Sequence, residues 1–154
     1  MKNNVYIEML VSEFRRSRQM EVLYLILEVL MKRMDEEGEA PMPMLITEGH
    51  FPNVTNLKVN ETFHLEENVK LKFDLMLDSD KNQWVPLFTS YDEINKGETS
   101  NITFNVPIER ILRVAAFEED VEGVVINPFV ENLSIPKHML KIMFDQYKEG
   151  TNED

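Results

Sequence analysis

The residues able to do chemistry in this 154-residue chain are scattered rather than arrayed. Asp78-x-Asp80-x-Asn82 places oxygen donors at alternate positions, the spacing with which a calcium loop begins. Such a loop goes on to a turning glycine and ends on a bidentate carboxylate, and this chain has Gln83 and Thr89 at those positions. A hairpin turn accounts for the same residues, so no metal ligand is assigned. His50, His64 and His138 stand at no helical spacing from one another, and no His-Glu-x-x-His zinc pair occurs. A Ser-His-Asp set would have to be assembled by folding, because the Gly-x-Ser-x-Gly elbow is absent. The 5 glycines are dispersed, with no Gly-x-Gly to cradle a phosphate. The lack of cysteine excludes disulfides, thiol catalysis and thiolate-bound metals. The acidic runs Asp35 to Glu39 and Glu118 to Glu122 read as solvated charge, without the contrasting environments that split two carboxylates into acid and base. The sequence therefore assigns no catalytic residue and no cofactor.

Charge narrows the partners. With 16 Lys and Arg against 28 Asp and Glu the chain carries -12 at pH 7, which repels phosphate backbones and anionic lipid. Neither nucleic acid nor a membrane is an expected partner. Glu8, Glu13, Arg15 and Arg16 interrupt any secretory leader, and the apolar window Met20 to Met34 is short and charged. These features predict a cytoplasmic protein in which the sequons at Asn53, Asn60, Asn101 and Asn132 carry no glycan. The charge is uneven. Residues 1–34 hold 6 Lys and Arg against 4 Asp and Glu, a net +2, which leaves 10 against 24, a net -14, for residues 35–154. Arg15, Arg16 and Arg18 form the one basic cluster, a candidate docking site for an acidic protein partner or a salt-bridged helix junction. A basic arm on an acidic body can pack on its own body or on that of a second copy, as a homodimer. The 10 methionines read mainly as core filling along helices.

The elements that must position these groups follow from periodicity. Val5, Met9, Leu10 and Phe14 predict an amphipathic helix. Met20, Leu23, Ile26, Leu27, Leu30 and Met34, widened by Val22, Leu25 and Val29, predict a second that needs cover from a sheet and from the first helix. Gly38 suits its C-terminal cap. Met42 to Thr47, flanked by prolines, reads as an edge strand or an extended entry into the sheet. Glu48 to Asn68 reads as a polar loop with a short strand at Val59 to Phe63. Val69 to Leu77 alternates as a half-buried strand, and Gln83 to Phe88 returns beside it across the turn Asp78 to Asn82. Ser90-Tyr91-Asp92-Glu93 has capping-box spacing for a short helix ending at Gly97. Ile102 to Val106 predicts a strand, and Pro107 the first residue of a helix lined by Ile108, Ile111, Leu112 and Ala115. Val124 to Ile126 predicts a strand covered on both faces, and Pro136 opens a last helix with Leu140, Met143, Phe144 and Tyr147. The order specifies a compact single α+β domain, a mixed or antiparallel sheet with an N-terminal helical pair and further helices packed on it. Residues 1–34 are the helical arm, 40–149 the body and 150–154 a frayed tail.

Trp84-Val85-Pro86-Leu87-Phe88-Thr89-Ser90-Tyr91-Asp92-Glu93, followed by Gly123-Val124-Val125-Ile126-Asn127-Pro128-Phe129, resembles the N-terminal domain of the SseB family, named for enhanced serine sensitivity. The resemblance is best from Val69 to Tyr147; Val130 departs from it where glycine is common, and there is no room for the C-terminal domain of many members. It implies a bacterial α+β domain without established enzymatic activity. If the strands ending at Phe88 and Ile126 are neighbours, Phe88, Thr89, Ser90, Asn127 and Phe129 gather at one end of the sheet as a candidate binding site. The structural alternatives are a cap at Ser90, a turn tie at Asn127 and a core plug at Phe129. The leading functional expectation is a non-enzymatic protein-interaction or regulatory module. A small acidic chaperone-like protein holding a partner segment, and a hydrolase with its site at the strand ends, are the alternatives.

Overall fold

The structure, a computed structural model, describes residues 4–48, 70–97 and 102–152. His50, His64, the sequons at Asn53, Asn60 and Asn101, and the strand expected at Val59 to Phe63 lie outside the described residues. The elements are α1 (Val5–Ser17), α2 (Met20–Asp35), β1 (Glu39–Glu48), β2 (Lys70–Phe73), β3 (Met76–Leu77), β4 (Gln83–Leu87), α3 (Tyr91–Ile94), β5 (Ile102–Pro107), α4 (Ile108–Phe117), β6 (Val121–Ile126), β7 (Leu133–Pro136) and α5 (Lys137–Asn152). This is the α+β class with an N-terminal helix pair. The strands divide into two sheets, an antiparallel one of order β2-β1-β5 and a mixed one of order β3-β4-β6-β7.

The helical arm buries a different face of α1 from the one expected. Ile7, Leu10 and Val11 are buried with Phe14 packed beside them, whereas Val5 is exposed and Met9 is 61% exposed. Positions 7, 10, 11 and 14 repeat at i, i+3, i+4 and i+7, a truer helical stripe than 5, 9, 10 and 14. The wide apolar girth of α2 is met by α1, α4 and α5. Its cover is chiefly helical, where a sheet was expected on one side. At its end Glu37 takes the left-handed conformation (φ 56), Glu37 N–H donates to Met34 O at 3.0 Å and Gly38 N–H to Arg33 O at 2.8 Å. That is a Schellman closure with Glu37, not Gly38, at the left-handed position. Gly38 is glycine for another reason: a Cβ there would stand 2.4 Å from Cζ of the buried Arg33 guanidinium.

β1 is the central strand of its sheet, although prolines are expected only at edges. An antiparallel strand turns alternate residues toward alternate neighbours, and Pro43 O accepts from Asp74 N on the β2 side. Pro41 and Pro43 thus both face β2, whose register reaches β1 only from Met44 onward. Ala40, Met42 and Met44 keep their N–H groups for the full ladder with β5. The alternating run from Val69 is likewise not one strand. The chain leaves the first sheet after Phe73 and enters the second at Met76, and only Met76 and Leu77 pair with Trp84 and Gln83 in the expected hairpin.

Pro107 is the N-cap of α4 rather than its first residue, and Ile108 N–H donates back to Gly38 O at 2.8 Å. α4 buries Ile108, Ile111, Leu112 and Ala115 between the sheets and α5. β6 is buried along nearly its whole length. The segment before Pro136, to which the sequence pattern assigns no element, is the edge strand β7, paired antiparallel with β6. α5 continues through Gly150 to Asn152, where a frayed tail was expected; glycine weakens a helix by about 1 kcal/mol and does not by itself end one.

Candidate functional site

β4 and β6 run parallel, with Val85 opposite Val124 and Leu87 opposite Ile126, so their carboxyl ends lie side by side. A parallel pair needs a crossover, and here it runs through α3, β5 and α4. Beyond the strand ends the backbone is fixed by Asn127. Its N–H donates to Leu87 O at 3.0 Å, and it adopts the left-handed conformation (φ 47) that asparagine tolerates better than most residues.

The side chains close a ring. Thr89 N–H donates to Asn127 Oδ1 at 3.0 Å, and Asn127 Nδ2 donates to Thr89 Oγ1 at 2.9 Å. The Thr89 hydroxyl in turn donates to Oε1 of Glu8 on α1. Phe88 is fully buried, with its ring 5.5 Å from that of Phe129. Gly97 lies under Phe129, where a Cβ would meet its Cγ at 2.5 Å. Ser90 Oγ accepts from Glu93 N at 3.4 Å, one half of the expected capping box, while Glu93 pairs with Lys96 at 2.6 Å. All five candidate residues are thus brought together; Phe88, Thr89 and Asn127 are interior, while Ser90 and Phe129 are half-buried. Thr89 is 2% and Asn127 4% exposed.

Alongside the ring is a cleft of about 380 Å³ between α1, α3 and the β6–β7 connection, lined by Glu8, Met9, Ser12, Glu93, Lys96, Asn127, Val130 and Glu131 among others. α1 lies across the strand ends. Glu8, Ser12 and Arg15, at i, i+4 and i+7 on one helix face, bond respectively to Thr89, to the Glu131 carboxylate and to Asn132 O, the last at 2.8 Å. This polar stripe is the functional group that sequence reasoning missed. Its signal was present as a polar row beside an apolar one, but each partner lies far along the chain. The Glu93 hydrogen bond, followed by the charges of Glu93, Glu8 and Asp92, raises the Lys96 ammonium above its ordinary value against a lowering by burial.

The three side chains of the basic cluster are exposed and differ in what they contact. Arg15 is engaged with Asn132, and Arg16 is bridged to Glu13 at 2.5 Å, whose hydrogen bond and charge raise it above its usual value. Arg18 ends α1 in the left-handed conformation, its guanidinium 6.0 Å from the Phe14 ring centre. Of the three, only Arg16 is in an ion pair among the described residues, and that pair lies within α1 rather than between the junction and an acidic loop.

Chemically, the ring has the outline of an activated nucleophile, a hydroxyl donating to a carboxylate. Burial of Thr89 and the second bond from Asn127 leave that hydroxyl no face for a substrate. No histidine lines the cleft, and no group of three or more metal-binding side chains occurs among the described residues. At the calcium-loop look-alike, Asp78 Oδ1 accepts from Asp80 N and Asn82 N, and Oδ2 from Trp84 Nε1, each at 2.9 Å. The Trp84 bond, then the backbone bond from Asn82, holds this carboxyl below its ordinary range, and both oxygens serve the turn.

The fold and the filled strand ends describe an α+β protein whose N-terminal helix closes its own sheet crevice. Comparisons with protein-family models, with curated proteins and with solved structures give no match. No helix among the described residues is long and apolar enough to cross a membrane.

Proposed function

We propose that this chain is a non-enzymatic protein-interaction or regulatory module of SseB-like type, acting in the cytoplasm through the outer face of its α1–α2 pair. One observation carries the reading. Six of the thirteen exposed large apolar side chains among the described residues, Val5, Tyr6, Met9, Met20, Tyr24 and Leu25, stand on this pair. Apolar surface concentrated in one place, rather than scattered singly, marks a site of association. In this reading Phe88, Thr89, Ser90, Asn127 and Phe129 act from behind, fixing α1 and with it the binding face.

The chaperone-like alternative draws on the same face, because Tyr6, Leu25 and Val29 line a groove of about 520 Å³ between the helices. It differs in requiring unfolded clients. The hydrolase alternative gains no support from a strand-end cleft without histidine. The test is Tyr6→Glu combined with Tyr24→Glu, introduced into the native cell with a photoreactive residue at position 25. Loss of crosslinked protein with an unchanged thermal melt is expected. Crosslinks that persist unaltered overturn the assignment of the face, and suppression of client aggregation by the unmodified protein moves the reading to the chaperone.

A further inference from the structure

We propose that the groove between α1 and α2 takes a carboxylate borne on an apolar segment of the protein partner, with the Arg33 guanidinium as its anchor; this deepens the reading of the α1–α2 face as a binding surface and rests on it.

Arg33, 8% exposed, is the one ionisable residue among the buried side chains described. A guanidinium carries five N–H donors and no acceptor, and a charge withdrawn from water is costly unless it is closely paired. Here the pairing is incomplete. Nε donates to Asn4 Oδ1 at 2.9 Å, and Nη1 reaches the carboxylate of Glu36, itself 40% exposed, only at 3.5 Å. Nη2 has no acceptor among the described residues. No buried side-chain nitrogen or oxygen among them lacks a partner, so Nη2 meets solvent. The fork is nevertheless held in place. Gly38 leaves room for it, and Asn4, which accepts from Nε, is tied in turn by donating to Glu39 O at 3.2 Å. A fixed, weakly paired fork with unspent donors fits a planar carboxylate, which accepts from two N–H groups at once.

Arg33 lines the groove of about 520 Å³ between the helices, and the groove supplies the rest of the recognition. At roughly 30 Å³ for each non-hydrogen atom that volume holds about seventeen, enough for an acidic side chain and an apolar neighbour. Tyr6, Leu25 and Val29 give the apolar contact, and Lys32, exposed and without an ion pair among the described residues, stands in the same lining as a second cation. Glu28 and Glu36 share that lining and bring its formal charge to zero. They do not cancel the attraction, because both are exposed and screened by water, whereas Arg33 acts from a buried position where charge is felt more strongly. They do limit what can enter. A single negative charge displaces Glu36 from its long contact, while a dianionic phosphate meets both glutamates with twice the charge. The partner segment this groove selects is therefore acidic and apolar together.

The Arg33 Nε–H resonance of the full chain, followed by NMR, tests this. Titration with N-acetylphenylalanine, a carboxylate on an apolar body, is expected to shift it with a dissociation constant on the order of 1 mM, the strength open to a probe of about fifteen non-hydrogen atoms. Its uncharged amide is expected to bind about tenfold more weakly, and inorganic phosphate about fivefold. Arg33→Lys should weaken the probe about tenfold and Lys32→Glu about threefold, with Lys32 and Glu36, both exposed, as the test positions should Arg33→Lys melt early. Glu36→Gln removes the internal competitor and should tighten the probe about threefold, an effect that a purely structural Arg33 does not produce. In the native cell, crosslinking from position 25 is expected to fall with Lys32→Glu and rise with Glu36→Gln. No shift with N-acetylphenylalanine, an equal response to its amide or to phosphate, or weaker binding in Glu36→Gln overturns the carboxylate site. Probe binding with crosslinks indifferent to both variants overturns the protein partner as the source of the carboxylate. Crosslinks that depend on Tyr6 and Tyr24 while the probe fails to bind remove the carboxylate and leave the face standing; no crosslinks at all removes both.

Discussion

Replacing Asn127 with alanine is the sharpest probe of the strand-end ring. The change deletes two side-chain hydrogen bonds and leaves the Thr89 N–H, 2% exposed, without its acceptor. Each hydrogen bond contributes about 1 kcal/mol net, and a stranded buried donor costs about 1–3 kcal/mol. Alanine must also hold φ 47, which costs roughly 1 kcal/mol more than for a residue suited to the left-handed region. Because the lost bonds and the stranded donor overlap, the combined loss is about 3–4 kcal/mol, and near 3 °C per kcal/mol for a chain of this size it lowers Tm by roughly 10 °C. Asn127→Gly removes the same bonds without the backbone penalty and should recover about 1 kcal/mol of the difference. Urea unfolding followed by circular dichroism measures both, with the midpoint shifting at constant m-value. A loss under 1 kcal/mol for Asn127→Ala, or equal losses for alanine and glycine, refutes the account of Asn127 as a buried tie in a left-handed turn.

Three further outcomes follow from named contacts. Burial, aided by the carboxylates of Asp35 and Glu109, pushes the Tyr147 phenol up to about 12. The folded chain therefore keeps a proton that the unfolded chain releases near pH 10, so this contribution is intact below about pH 10 and lost toward pH 12; Tyr147→Phe should remove both that fall in stability and the late tyrosinate absorbance step. The Asp78 carboxyl, held low by Trp84 and the backbone of Asn82, contributes stability above its unfolded value that is lost as pH falls through the lowered one. Acid titration followed by the fluorescence of Trp84, the sole tryptophan, should show this step, and Asp78→Asn should abolish it. At Gly123 (φ 153) an added Cβ would stand 2.2 Å from Ile135 O, so Gly123→Ala should open the β6–β7 ladder and destabilise by about 3 kcal/mol, seen as lost amide protection in β7.

How much of this was legible depends on the range over which each feature is encoded. α2 and α4 were readable because their stripes repeat within the element itself. The cap at Ser90 was readable because a cap is a four-residue device. The neighbouring ends of β4 and β6 could be anticipated, since Phe88-Thr89-Ser90 and Asn127-Pro128-Phe129 are both chain-turning segments after apolar runs. The split at Asp74 left no trace, because alternation continues while the hydrogen-bonding partners change. β1 was misplaced at an edge because what matters for proline is which neighbour it faces, and that depends on register. β7 is only four residues and ends in proline, too little for a periodic signal. The docking stripe of α1 was invisible for a plainer reason: separations of 81, 119 and 117 residues from Glu8, Ser12 and Arg15 to their partners have no local signature.

Those same separations set an order of events during synthesis. The arm leaves the ribosome before the groups that receive it at Thr89, Glu131 and Asn132. At about 5–20 residues per second, the 119 residues from Ser12 to Glu131 take roughly 6–24 s to appear. Through that interval Ile7, Leu10 and Val11 have only α2 to shelter them, and a newly made arm is open to whatever apolar surface it meets. An abundant neighbour on the same polysome is a second copy at the same stage.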